Sequence, residues 1–178
     1  MLTRKRERVV ALSPRSYNLR MIRPATAADT PAIARLIRGL ADYERLAHTV
    51  TLDEDQLREH LFGPRPFAEV LLAEEAGEVV GFALFFSTYS TFRGQPGIYL
   101  EDLFVQPEFR GHGHGKALLT ALARLAVERG CGRLEWAVLN WNKPAIDFYR
   151  ALGAIRLDDW TLYRVHGESL AALGGKAP

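Results

Sequence analysis

One stretch of the chain, residues 97–129, constrains the fold more than any other. It begins with GIYLEDLFV, whose apolar, aromatic and β-branched residues predict a buried strand. The glycine-rich turn RGHGHG follows at 110–115. Apolar residues then recur at helical spacing from Leu118 to Ala126, which predicts a long amphipathic helix. A strand that leads through glycines into a helix indicates an α/β protein with an anion site at the helix N-terminus.

Composition limits the class of protein. The chain has 178 residues, of which 48% are hydrophobic, enough for one globular domain with a buried core. The longest uncharged apolar stretch, residues 79–86, is far shorter than the ~20 residues of a membrane span, so we predict no membrane association. The one cysteine, Cys131, excludes an intramolecular disulfide and a multi-cysteine metal site, which favours a cytoplasmic location.

The charge is distributed unevenly along the chain. Residues 1–20 carry a net charge of +5 and the whole chain +2, which leaves −3 for residues 21–178. The basic segment lacks the apolar core of a secretory signal. Its charge leaves open an arm that binds nucleic acid or a membrane surface, although the acidic remainder argues against a nucleic-acid partner. We predict a flexible basic extension at 1–19, a single domain at 20–170 and a flexible tail at 171–178.

The remaining pattern alternates strands and helices, which predicts one α/β domain. The predicted strands lie at 19–25, 97–105, 132–139 and 161–167, and a further pair forms a hairpin that turns at Ala76 and Gly77. The predicted helices lie at 30–44, 53–61, 115–129 and 142–153. Thr51 or Asp53 is placed to open the second of these helices, and Asn142 to cap the last.

Two adjacent carboxylates interrupt the predicted central strand. Strict alternation would place Asp102 on one face with Leu100 and Phe104, and Glu101 on the opposite face. An unpaired carboxylate is costly to bury. For Asp102 we therefore expect arginines or backbone donors to satisfy the charge. For Glu101 we favour a function, either binding a cationic ligand or taking a proton from it.

The turn at 110–115 suits a phosphate or pyrophosphate, because glycines let the backbone approach a ligand and a helix start supplies unsatisfied N–H groups. A dinucleotide fingerprint needs its third glycine one residue later, and a P-loop needs a hydroxyl residue where Ala117 follows Lys116. His112 and His114 lack a carboxylate or cysteine cluster nearby in sequence. We therefore predict no metal and interpret the two histidines as residues that merely fill the loop.

Two motifs together resemble the GNAT N-acetyltransferase superfamily. RGHGHG at 110–115 resembles its R-x-x-G-x-G/A motif, and NWNKPAIDFYRALGA at 140–154 resembles its closing motif. The resemblance covers about residues 20–166. It implies an α/β fold with a mixed, strongly twisted sheet of six to seven strands flanked by about four helices. A V-shaped opening would separate the fourth and fifth strands.

The same resemblance implies acetyl-CoA as the acyl donor. Leu103, Phe104 and Val105 would offer backbone groups to its pantetheine arm, and Asn142 would contact it from the other side. The loop would hold the pyrophosphate. The loop residues implied in this binding are Arg110, Gly111, His112, Gly113, His114, Gly115 and Lys116.

Four further segments, 22–29, 41–44, 99–105 and 141–154, resemble the diamine (spermidine/spermine) N-acetyltransferases and their thialysine-acetylating relatives. This resemblance implies a small cationic amine as substrate, bound by acidic and aromatic side chains. The matched positions are Tyr43, Glu44, Phe92, Glu101, Asp159 and Trp160. Ser90 and Phe92 stand where the family pattern tends to carry an acid and a tryptophan, and Arg93 adds a positive charge. These departures weaken the case for a long polyamine and leave a diamine, a lysine-like amino acid or another primary amine.

The chemistry requires proton transfer, because a protonated amine cannot attack a thioester. Glu101 is the predicted general base, directly or through a water. The resemblance implies Tyr149 as the general acid that protonates the departing CoA thiolate. Attack would be direct, since Cys131 has no histidine or aspartate nearby in sequence that would make it a nucleophile.

Other interpretations stay open from the sequence. Tyr149 also fits a core aromatic of an amphipathic helix, and Glu44 also fits an exposed acid at a helix end. The chain could be an acetyltransferase that acts on protein lysines, N-terminal amines or an antibiotic amine, or a non-catalytic acyl-CoA-binding protein. Relatives of this type usually form dimers, so we expect a homodimer.

Overall fold

Five strands and five helices follow one another in the computed structural model, which describes residues 22–175. The strands are β1 (Ile22–Pro24), β2 (Glu69–Glu75), β3 (Glu78–Ser90), β4 (Gln95–Val105) and β5 (Leu134–Trp136). The helices are α1 (Thr30–Tyr43), α2 (Glu54–Phe62), α3 (His114–Glu128), α4 (Lys143–Ala151) and α5 (Gly167–Leu173). The predicted α/β class is confirmed, although the described residues contain five strands instead of six to seven. The predicted extension at 1–19 lies outside the described residues, as do residues 176–178 of the predicted tail.

The chain divides into two compact units between Ala137 and Val138. In the first unit the strands form one sheet in the order β1-β2-β3-β4-β5. Neighbouring strands from β1 to β4 are antiparallel, and β5 runs parallel to β4. The β2–β3 hairpin turns at Ala76 and Gly77, as predicted. Both residues have positive φ (52° and 84°), the combination of a type I′ turn, whose twist suits two paired strands.

Helices α1 and α3 cover opposite faces of this sheet. Ile33 of α1 forms one buried cluster with Phe82 and Phe104. On the other face, the guanidinium of Arg129 at the end of α3 lies 6.0 Å from the ring centroid of Phe85. The apolar residues of α3 that recur at helical spacing are buried, as predicted: Leu118, Leu119, Leu122, Leu125 and Ala126. Between residues 22 and 175, no helix is both long enough and apolar enough to cross a bilayer.

A β-bulge at Glu101 changes which face of the sheet the β4 side chains occupy. Leu84 of β3 pairs with Asp102, whereas the next β3 residue, Phe85, pairs with Leu100, so Glu101 has no partner in β3. The extra residue shifts the alternation of β4 by one position. The prediction that Leu100 and Asp102 share a face is therefore wrong. Leu100 lies on the α3 face and Asp102 on the α1 face.

The last predicted strand, at 161–167, is also wrong. Residues 161–166 have no regular secondary structure, and α5 begins at Gly167. The apolar side chains of Leu162 and Tyr163 are exposed. An apolar run forms a strand only when a neighbouring strand satisfies its backbone groups. No strand follows β5 in the part of the chain that the structure describes.

Candidate active site

The loop between β4 and α3 is shaped by its glycines. A 3-10 turn, Pro107–Phe109, follows β4. Gly111 and Gly113 then adopt left-handed conformations, with φ of 84° and 90°, which other residues rarely adopt. A Cβ at either position would meet no atom within 4 Å, so the backbone is open to a ligand. Helix α3 begins at His114, one residue before its predicted start.

The backbone N–H groups from Gly111 to Lys116 are available to an anion. Within residues 22–175 none of these groups donates a hydrogen bond, whereas the flanking N–H groups of Arg110 and Ala117 bond to carbonyl oxygens. Unsatisfied N–H groups at the start of a helix carry partial positive charge. The geometry therefore suits a phosphate-type anion.

The sheet opens beside the second half of β4. Strand β5 pairs with β4 only at Ile98, Tyr99 and Leu100. Among the described residues, the β4 edge from Glu101 to Val105 has no strand partner on the β5 side. Backbone groups on an unpaired edge can hydrogen-bond an extended ligand. The segment that contains Leu103, Phe104 and Val105 lies on this edge.

Arg110 ties the loop back to β4 and α1. Its Nε donates a hydrogen bond to the carbonyl oxygen of Val105 at 3.0 Å. Its guanidinium lies 4.3 Å from the ring centroid of Tyr43 and 5.5 Å from that of Phe104. One face of Tyr43, a predicted site for a substrate cation, is thus covered by an arginine of the protein itself.

Three carboxylates lie close enough to interact: Glu44 at the end of α1, and Glu101 and Asp102 in the β4 bulge. Burial first, and then the charges of Glu101 and Glu44, raise the pKa of Asp102 from 3.8 to about 6. Burial also raises the pKa of Glu44. Between residues 22 and 175, no arginine or lysine forms an ion pair with Asp102 and no backbone N–H donates a hydrogen bond to its carboxylate, so the expectation that arginines or backbone donors satisfy its charge is wrong. An uncompensated negative charge of this kind can attract a cation.

Phe92 lies apart from these carboxylates. It sits at the tip of the β3–β4 hairpin, where its side chain is 97% exposed. The strand from Gln95 to Glu101 alone spans about 20 Å at about 3.3 Å per residue. Ser90, the last residue of β3 before this turn, is buried, and its hydroxyl accepts a hydrogen bond from the Arg93 N–H at 3.4 Å.

The second unit holds the remaining predicted site residues. Asn142 is buried and caps α4 as predicted, because its side-chain oxygen accepts a hydrogen bond from the Ala145 N–H at 3.3 Å. Tyr149 lies two turns further along α4 and is partly buried. Asp159 and Trp160 follow α4 in an irregular segment, and both side chains are exposed.

Sequence reasoning missed a contact between the loop and β2. The carboxylate of Glu75, the last residue of β2, lies 3.1 Å from His112 Nδ1 and is hydrogen-bonded to His114 Nε2. These bonds, with that from His114 first, hold the pKa of Glu75 below its usual value. The interpretation of the two histidines as residues without a carboxylate partner is therefore wrong. Glu75 precedes His112 by 37 residues, so no local spacing could have indicated the contact.

The family to which the sequence is similar agrees with the glycine-rich loop and the unpaired β4 edge described above. Residues 33–154 match the acetyltransferase (GNAT) family. Since this match spans more than half of the chain, the protein belongs to the GNAT acetyltransferase family. It is an N-acetyltransferase, and the superfamily resemblance of the sequence is confirmed.

Individual relatives cover most of the chain. The protein is 44% identical to a thialysine N-epsilon-acetyltransferase of Bos taurus, over 88% of this chain and 98% of the relative. It is 34% identical to an L-ornithine N5-acetyltransferase of Arabidopsis thaliana, over 85% of this chain and 86% of the relative. Its structure is similar to that of an integron cassette protein of V. cholerae, with a TM-score of 0.72, 27% identity, and coverage of 86% of this chain and 96% of that one.

Proposed function

We propose that this protein transfers the acetyl group of acetyl-CoA to a primary amine of a small cationic substrate, a lysine-like amino acid or a diamine. The observation that carries the proposal is the group of three carboxylates, Glu44, Glu101 and Asp102, on and next to a strand with an unpaired edge. The carboxylates provide a negative site for an ammonium group. The unpaired edge provides hydrogen-bonding groups for an extended acyl donor.

Acetyl-CoA is the acyl donor of the GNAT family, and residues of this chain fit it. The N–H groups from Gly111 to Lys116 have no acceptor within the described residues, and the two left-handed glycines leave them open. These groups would hold the pyrophosphate. The backbone at 103–105 would hold the pantetheine arm, and Asn142 would contribute a further contact. Bound acetyl-CoA supplies the thioester whose acetyl group is transferred.

The size of the amine is inferred from charge and from the relatives. By their names, the two relatives described above act on thialysine and on L-ornithine, amino acids with a side-chain amine. An ammonium group near three carboxylates gains Coulomb energy. Phe92 projects into solvent and Arg93 beside it is positive, so the β3–β4 hairpin tip offers no second cation site. We therefore favour a short amine over a long polyamine.

The proposed proton transfers use two residues. Glu101 would take a proton from the ammonium group, directly or through a water, because it is exposed in the β4 bulge and carries a carboxylate. Tyr149 would give its phenolic proton to the departing sulfur as the C–N bond forms and the C–S bond breaks. Asp102 and Glu44 would hold the cation. Cys131 is left out of this chemistry, because burial raises the pKa of its thiol and so lowers its thiolate fraction.

The experiment measures CoA release from acetyl-CoA with thialysine, ornithine, lysine, putrescine, spermidine, spermine and a lysine peptide. We expect turnover of the short amines. Tyr149→Phe is expected to lower kcat by about 10²-fold or more, the usual contribution of a positioned proton donor. Tyr163→Phe makes the same change at an exposed tyrosine of the second unit and is the matched control.

Three outcomes would each contradict one part of the proposal. A protein that binds acetyl-CoA but turns over no amine of the panel would exclude the substrate class. Turnover of the lysine peptide alone would favour the protein-acetylating alternative. An unchanged kcat in Tyr149→Phe would exclude Tyr149 as the proton donor. The expected homodimer is a separate prediction that analytical ultracentrifugation would test.

A further inference from the structure

We propose that Glu75, His112 and His114 form a binding site for Zn²⁺ between the end of β2 and the loop that opens α3. The three side chains offer one carboxylate oxygen and two imidazole nitrogens. All three ligand atoms lie within 4.8 Å of one another. The site rests on these contacts alone and does not depend on the proposed substrate or on acetyl transfer.

The donor set selects the kind of metal. Zn²⁺ binds imidazole nitrogen and carboxylate oxygen, and two histidines with one glutamate form a three-ligand arrangement that leaves a fourth position open. Mg²⁺ and Ca²⁺ prefer oxygen ligands throughout. A site with two nitrogens among three protein ligands therefore favours Zn²⁺ over both of these ions.

The distances fit coordination around one ion. Zinc–nitrogen and zinc–oxygen bonds of about 2.1 Å place neighbouring ligands of a tetrahedral site about 3.4 Å apart. His112 Nδ1 lies 3.2 and 3.1 Å from the two oxygens of Glu75, and His114 Nε2 contacts the same carboxylate. The two imidazole centroids are 6.2 Å apart. An ion could replace the shared protons after only small movements of the side chains.

Burial fixes one ligand, and exposure leaves a path for the ion. His114 is 1% exposed and directs its Nε2 at Glu75, while its Nδ1 has no hydrogen-bond partner within the described residues. The side chains of His112 and Glu75 are 51% and 34% exposed, so an ion can enter from solvent. The left-handed Gly113 separates the two histidines in sequence, and both imidazoles reach the same carboxylate. Water would occupy the fourth position.

Calorimetric titration of the untagged full chain with ZnCl₂ tests the proposal, without acetyl-CoA or amine present. We expect one ion per chain, with proton release, because zinc displaces protons from its ligands. Glu75→Gln and His112→Ala should each weaken Zn²⁺ binding by at least about tenfold, since losses outside the ligand shell already reach 10- to 100-fold. MgCl₂ should give no comparable binding. His48→Ala removes an exposed histidine elsewhere and should leave the affinity unchanged.

A second measurement uses the wild type alone, so its result does not depend on whether the variants fold. Co²⁺ in place of Zn²⁺ should give the wild type visible d–d absorption typical of a protein-bound ion, and a saturating metal should raise its Tm. Wild-type protein without Co²⁺ absorption and without calorimetric Zn²⁺ binding overturns the proposal. Equal Zn²⁺ affinity in the wild type and in a folded Glu75→Gln, His112→Ala double variant also overturns it.

Discussion

Asp102 lies opposite Leu84 on the α1 face of the sheet, and the bulge at Glu101 places it there. Unbroken alternation would have put this carboxylate on the α3 face with Leu100. Its actual neighbours include Glu44 and Glu101, and no cation within the described residues pairs with it. A carboxylate in these surroundings resists ionisation, which affects both stability and substrate binding.

Asp102→Asn is expected to stabilise the fold at pH 8 and to have little effect at pH 4. The folded protein holds the Asp102 proton more tightly than the unfolded chain, because the pKa is raised from 3.8 to about 6. The free energy of unfolding therefore falls as pH rises through this range and stays lower above it. A shift of about two pKa units corresponds to about 3 kcal/mol, the largest gain expected from removal of the charge. Urea denaturation at both pH values measures the gain.

Asp147→Asn is the matched control for this prediction. It makes the same chemical change at an exposed carboxylate of α4 and should alter the free energy of unfolding by no more than about 0.5 kcal/mol at either pH. An effect of Asp102→Asn that is the same at pH 4 and pH 8 would contradict a raised pKa.

The kcat/KM for a cationic amine is expected to rise with pH through about 6. Ionised Asp102 attracts the ammonium group, and its pKa of about 6 sets where that attraction begins. A bound cation stabilises the ionised carboxylate, so the corresponding limb of kcat should lie at lower pH. Initial rates between pH 5 and pH 8 measure both limbs. Asp102→Asn should abolish the limb near pH 6, whereas a limb that survives in this variant would assign it to another group.

Features that depend on neighbouring residues were predicted from sequence. The Ala76–Gly77 turn, the Asp53 cap of α2 and the Asn142 cap of α4 are all confirmed. Each depends on the backbone chemistry of residues within four positions, which the sequence displays directly. The glycine loop and its helix were predictable for the same reason.

Features that depend on distant residues were not predictable. The bulge at Glu101 is a property of the β3–β4 pairing, and its effect is to reverse the faces of every residue before it relative to those after it. Glu75 meets His112 because of the strand order, across 37 residues of chain. The segment at 161–167 has the composition of a strand, but a strand also requires a partner for its backbone.

Gly113→Ala is expected to destabilise the protein by about 1–2 kcal/mol and to weaken acetyl-CoA binding. The φ of 90° is strained for alanine, although a Cβ would meet no atom within 4 Å. Relief of that strain would turn the N–H groups at the start of α3 away from an anion. Thermal unfolding and equilibrium acetyl-CoA binding measure the two effects separately.

Gly130→Ala is the control at the opposite end of α3. Gly130 also has positive φ (67°), a Cβ added there would likewise meet no atom within 4 Å, and the helix between the two glycines is about 22 Å long. The destabilisation should be similar, but acetyl-CoA binding should not change. Equal losses of acetyl-CoA affinity in both variants would mean that the loop backbone does not hold the pyrophosphate.

Arg110 and Tyr43 are expected to be energetically coupled by about 0.5–1 kcal/mol, the usual strength of a cation–π contact that is not fully buried. A double-mutant cycle with Arg110→Met and Tyr43→Leu, measured by urea denaturation, isolates this term. Arg110→Met alone should cost more than the coupling, because the Val105 carbonyl also loses its donor. Arg124→Met, at an exposed position on α3, should change stability by no more than about 0.5 kcal/mol. A coupling of zero would mean that the contact between the guanidinium and the Tyr43 ring contributes nothing measurable to stability.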